Sequence, residues 1–140
     1  AELLKNFNEK FTNDLLFEVE HLRETIASLY QSTMKAYMDK DFAALDDVNK
    51  YEDEVDDTVA TIEKLHLQRL MDGIYPASVG QVYQEFASDT ERIADHFLNV
   101  AKSIRQLHIG EDWWISDTIV KFEINKNEIA CYNLIFLSHY

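Results

Sequence analysis

The chain has little of what builds loops, covalent staples or membrane anchors. One proline and three glycines among 140 residues leave few places for tight turns, which argues against disorder and against a loop-rich β architecture. The single cysteine, Cys131, excludes an intrachain disulfide and a cysteine-based zinc site, and it fits a reducing compartment. No run of about 18 apolar residues occurs, so nothing in the sequence is expected to span a bilayer. No basic-then-apolar leader is present. The first residue is Ala1, not methionine, which fits a processed protein or a piece of a longer one. Basic residues are scarce too: 13 Lys and Arg stand against 26 Asp and Glu, a net charge of −13. A surface of that sign repels nucleic acid and anionic lipid, and it attracts cations or basic partners.

What the chain does have is helical periodicity. A chain of 140 residues, 46% of them hydrophobic, can bury the core of one domain. From Thr12 to about Lys40, Leu15, Val19, Leu22, Ile26, Leu29, Tyr30 and Tyr37 recur at helical spacing, with Thr12 or Asn13 as N-cap. The break falls at Asp39 to Asp41, with Asp41 expected to cap the next helix. That second helix runs from about Phe42 to Asp72 on Leu45, Val48, Val55, Val59, Ile62, Leu65 or His66, and Leu70. Gly73 is placed to end it in a left-handed conformation, and Pro76 suits the first turn of a third helix. That helix, about Ser78 to Leu107, carries Val79, Val82, Tyr83, Phe86, Ile93, Phe97, Val100, Ile104 and Leu107.

Short connections between three long helices predict an all-α fold, an antiparallel up-down-up three-helix bundle spanning residues 1–107. Beyond Gly110 the character changes. In IVKFEI, Val120, Phe122 and Ile124 alternate with Lys121 and Glu123, the period of a strand, and Asn125 to Asn127 could turn a hairpin. Residues 108–140 are therefore expected to form a non-helical or β-hairpin-like tail; an irregular arm or short helix over the bundle is the other reading. So apolar a segment, with Trp113, Trp114, Leu134, Phe136 and Leu137, must be covered, either by its own bundle or by exchange in a homodimer.

The second helix carries an anomaly. At about 100° per residue, Glu52 falls within roughly 30° of the centre of the apolar stripe, where another apolar residue is expected. Asp56 lies one turn on, at the stripe edge. A core-facing carboxylate is costly unless it is paired or binds a cation. On the third helix Glu91 sits roughly 120° from the stripe centre and Asp95 roughly 160°, both outside the main seam and, taken alone, equally readable as solvated surface. Two helices thus repeat Glu-x-x-x-Asp, EDEVD at Glu52 to Asp56 and ERIAD at Glu91 to Asp95. Each pair presents oxygens one helical turn apart, which suits hard cations or iron.

The surrounding residues add a resemblance. The stretch from Leu65 to Ile104 resembles the PhoU-like domain, particularly the version at the cytoplasmic C-terminus of bacterial sodium/phosphate cotransporters. Its centre, DTERIADHFLNVA, is similar to the signature D-L-E-R-I-G-D-H-x-x-N-I-A: Glu91, Arg92, Ile93, Asp95, His96, Asn99 and Ala101 match, while Thr90, Ala94 and Val100 differ. YEDEVDDTVATI resembles the family's other acidic motif, and MKAYMDKDFAALDDV the stretch leading into it. The resemblance covers roughly Leu15 to Gln106; the tail from His108 does not share it. It implies one three-helix bundle where full-length relatives have two in tandem. It also implies a metal, iron or zinc, held by Glu52, Asp56, Glu91 and Asp95. The implied role is regulation of phosphate uptake without catalysis. The expected partners are a phosphate transporter, whose membrane part would precede Ala1 in the same polypeptide, and a signalling protein. The expected location is the cytoplasmic face of the membrane. Arg92 is expected to pair with an acid across the bundle; His96 could be a further ligand, but a lone histidine at a bundle edge is more often a plain hydrogen-bonding residue.

Two rivals stand beside it. In a metal-free interaction module, Glu52 would be satisfied by Arg69, Lys64 or His21. In a ferritin-like di-iron protein, the Glu-x-x-His pairs Glu18/His21 and Glu63/His66 would supply ligands, although His21 points roughly 130° from its stripe and a fourth helix is missing.

Overall fold

The computed structural model describes residues 13–109, 118, 120–122 and 124–126. Three helices occupy most of that length: α1, Asn13–Met38; α2, Ala44–Met71; and α3, Ala77–Ile109. Each helix packs on both others. Arg69 near the end of α2 meets Glu18 near the start of α1, and Arg105 near the end of α3 meets Asp46 at the start of α2. Successive helices therefore run in opposite directions, as the short connections require.

The core is the expected set of stripes. Leu15, Leu22, Ile26 and Leu29 of α1, Leu45, Val48, Val55, Val59 and Ile62 of α2, and Phe97 and Val100 of α3 are fully buried. Each such aliphatic or aromatic side chain contributes about 1.5–3 kcal/mol on leaving water. Small residues complete the α3 seam: Ala87, Thr90, Ala94 and Ala101 are buried between the larger ones. Thr90 is accommodated because its hydroxyl donates to the Phe86 carbonyl at 2.8 Å, leaving no orphaned polar group. Thr33 of α1 is buried in the same way, on the Leu29 carbonyl. Two expected core positions differ: Val82 is 43% exposed and Leu65 37% exposed, since both lie at the margins of their stripes.

The helix ends obey local chemistry. Gly73 takes φ +69°, its N–H donates to the Leu70 carbonyl, and the Ile74 N–H donates to the Arg69 carbonyl. That pair of bonds is a Schellman motif, which satisfies the last carbonyls of α2. At the other connector Asp41 does not cap α2 with its side chain. Its backbone carbonyl accepts from the Ala44 N–H, and its carboxylate pairs with Lys35 at 3.4 Å. Ala43 occupies the cap position, and no side chain bonds there.

The described residues of the tail follow the short-helix reading and not the hairpin one. Thr118, Val120, Lys121, Phe122, Ile124, Asn125 and Lys126 are helical. Val120 and Ile124, four apart, are buried in the core cluster, whereas Phe122 is 65% exposed. A strand would have placed all three on one face; helical geometry separates the middle one. The expectations for Trp113, Trp114, Asn127, Cys131 and the rest of residues 127–140 lie outside the described residues.

Candidate functional site

Among the described residues two polar clusters join helices of the bundle, and they are built from opposite chemistry. The first joins all three helices around Glu18. Arg69 grips its carboxylate with both terminal nitrogens, at 2.8 and 2.6 Å, and the Tyr83 hydroxyl donates to Oε1 at 2.6 Å. The ion pair raises the Arg69 guanidinium further above its ordinary value. Burial, followed by the bond to Glu18, pushes the Tyr83 phenol well up, so it stays a donor. Tyr75 leans on Tyr83, ring centroids 6.3 Å apart, and its hydroxyl lies 2.6 Å from His66 Nδ1.

This cluster disposes of two expectations. Arg69 is the partner of Glu18 and not of Glu52. The two Glu-x-x-His pairs do not make one site either: Glu18 is held by Arg69 and Tyr83, His66 bonds to Tyr75, and His21 stacks on Phe17. Sequence reasoning missed the cluster, although Arg69 and Tyr83 both fall on core-facing positions of their helices and Tyr83 belongs to the apolar stripe of α3.

The second cluster lies between α2 and α3 and holds acids. Glu52 is 8% exposed, buried as its angular position requires. Oxygens of Glu52, Asp56 and Asp95 lie within 4.8 Å of one another. Burial first, then hydrogen bonding and charge from Asp56, then the same from Asp95, push the Glu52 carboxyl up to about 8. Oδ1 of Asp56 is buried without a hydrogen-bond partner. Glu91, half-buried on α3, stands outside the group of three but within its field. Its carboxyl is raised by burial and then by the charges of Asp56, Asp95 and Glu63.

Of the four expected positions the structure brings three together and leaves Glu91 at their edge. Asp95 is an exposed residue whose carboxylate nonetheless reaches Glu52. His96 is not part of the group. Arg92, expected to reach across the bundle, pairs at 3.4 Å with Asp89 on its own helix. Such an arrangement of oxygens, one of them orphaned and buried, has two chemical solutions: share protons, or take a cation. An all-oxygen donor set at this spacing fits a hard cation or iron.

Comparison with known proteins shows the family. The PhoU domain family matches residues 19–104, more than half of the chain and both helices that carry the acids. The chain belongs to the PhoU family. A phosphate-specific transport system accessory protein, PhoU homolog 1 of Thermotoga maritima, is 24% identical over 104 residues. That alignment covers 74% of this chain and 45% of the relative, so the chain spans less than half the length of the curated protein it matches. No solved structure matches. Among the described residues, no helix is long and apolar enough to cross a membrane.

Proposed function

We propose that this PhoU domain regulates phosphate uptake and binds a metal ion, iron or zinc, between α2 and α3. Glu52, Asp56 and Asp95 would hold the ion, with Glu91 beside them; it would supply the positive charge that the acid cluster lacks. The observation that carries the reading is Glu52 itself, a buried carboxylate whose close polar neighbours are two further acids. The orphaned Asp56 oxygen supports it. The regulatory role rests on family membership and on the relative, described as an accessory protein of phosphate-specific transport. The finer placement, as the cytoplasmic part of a sodium/phosphate cotransporter at the inner face of the membrane, rests on the resemblance of DTERIADHFLNVA and its surroundings. The partners in that placement are the transporter, a signalling protein and, through the tail, a second copy of the chain.

Metal analysis by mass spectrometry on protein purified without a histidine tag tests the site. The wild type should carry stoichiometric iron or zinc, and Glu52→Gln/Asp56→Asn should lose it. Radiolabelled phosphate uptake in cells carrying the same variant tests the role. Unchanged uptake would separate the metal from regulation.

A metal-free bundle is the second reading, favoured by one observation. With its carboxyl raised to about 8 and hydrogen-bonded to Asp56 and Asp95, Glu52 can hold the cluster together with a proton. A folded wild type devoid of metal would establish it.

A further inference from the structure

On the α1 side of α2 lies a groove of about 380 Å³, separate from the acid cluster. Phe17 and Leu65 are its apolar side chains, beside six polar or charged residues. Phe17 is 70% exposed and stacks on His21, ring planes 3° apart and centroids 6.1 Å apart, and Leu65 faces them from α2. Acceptor oxygens predominate in its polar lining, beside the His21 ring and the Arg69 N–H groups not used on Glu18. Thr58 and Thr61 spend their hydroxyl protons on the Glu54 and Asp57 carbonyls, leaving only oxygen lone pairs to offer. Asp14, exposed, adds a carboxylate to the lining. Arg69, the permanent cation among the described lining residues, is committed to Glu18 through both terminal nitrogens.

Arg69 offsets Glu18, so Asp14 leaves the lining with a net negative charge that disfavours an anion, and a wholly apolar group would leave the threonine oxygens without a donor. A cationic donor on an apolar stem suits the Asp14 carboxylate, the threonine oxygens and the Phe17 and Leu65 side chains together. A guanidinium can lie flat on the Phe17 ring, donate to carboxylate and hydroxyl oxygens, and leave its methylenes against Leu65. The volume is at the small end of ligand sites, room for a side chain and not for a folded element. A chain of net charge −13 also draws basic partners toward it.

We propose that the α1–α2 groove docks an arginine side chain presented by a basic segment of a partner protein. The test titrates the full chain with a blocked, alanine-rich helical peptide of about 15 residues carrying Leu-Arg-Leu at its centre. The matching peptide has citrulline, neutral and nearly isosteric, in place of arginine. Nuclear magnetic resonance should show the arginine peptide shifting Phe17, His21 and Leu65. Its affinity should fall about tenfold in Asp14→Asn/Phe17→Ala, and similarly with citrulline. Asp47→Asn/Asp53→Asn, which removes more charge but away from the groove, should change it less than about twofold. Equal binding of the citrulline peptide would overturn the proposal. So would shifts spread along the acidic face of α2 with none in the groove, or free N-acetylarginine amide binding as tightly as the peptide, which would make this a small-molecule site.

Discussion

Glu18 and Glu52 are each drawn into the bundle, and comparing their surroundings shows how differently a carboxylate can be kept there. Glu18 meets a guanidinium and a phenol, two donor groups for its two oxygens. Glu52 meets Asp56 and Asp95, which have nothing to donate unless a proton is supplied. The first cluster is complete in the chain alone and ties α1 to α2 and α3. The second is complete only with something taken from solution. Stability is therefore fixed at one end of α2 and conditional on its surroundings near the middle.

The sharpest way to break this contrast is to make Glu18 resemble Glu52. Arg69→Ala leaves the Glu18 carboxylate drawn into the bundle without its cation, and should cost about 3–5 kcal/mol in urea denaturation. Next in size is the pH response of Glu52. With a folded-state value of about 8 against an ordinary 4.5, the folded protein keeps a proton that the unfolded chain releases between those values. Metal-free stability should therefore fall as pH rises through that window and level off above it, by up to a few kcal/mol. Glu52→Gln should abolish that part of the slope in thermal melts recorded from pH 4 to about 9. Adding iron(II) or zinc to the wild type should reverse the trend, because metal needs the ionised carboxylates that high pH supplies. A smaller effect is expected of Tyr83→Phe, which deletes one donor to a charged oxygen and should cost about 1.5–3 kcal/mol by the same urea measurement. Smallest is Glu91→Gln. Standing beside the three-acid group, it should raise metal-free stability by less than about 1 kcal/mol and weaken metal binding less than Glu52→Gln does, as read by calorimetric titration.

The sequence carried these two regions unequally. Helix boundaries are legible to within two residues because long apolar stripes, Gly73 and Pro76 all point the same way. Glu52 is legible because a carboxylate on a stripe of valines violates the pattern by itself. Asp95 is less so. Its angle is taken from a stripe averaged over contacts with two neighbours, whereas its carboxylate, on an exposed residue, reaches Glu52 and Asp56 of α2. The Glu18–Arg69–Tyr83 cluster was not legible as a set: its members lie 51 and 65 residues apart from Glu18, and no local spacing links them. Arg69 even offered itself as a partner for Glu52. IVKFEI misled for a different reason, since Val120 and Ile124 satisfy period 2 and the i, i+4 spacing of a helix at once.

Gly80, buried in α3, bears on the α2–α3 connector. A Cβ there would stand 2.5 Å from the Tyr75 ring and 2.9 Å from His66, so Tyr75 occupies the volume that any other residue's side chain would claim. The connector is thus latched by a vacancy in the next helix. A methyl group added at 80 would be felt five residues earlier, lifting the ring that bonds to His66, and the chain's entry into α3 would have to be redrawn around it.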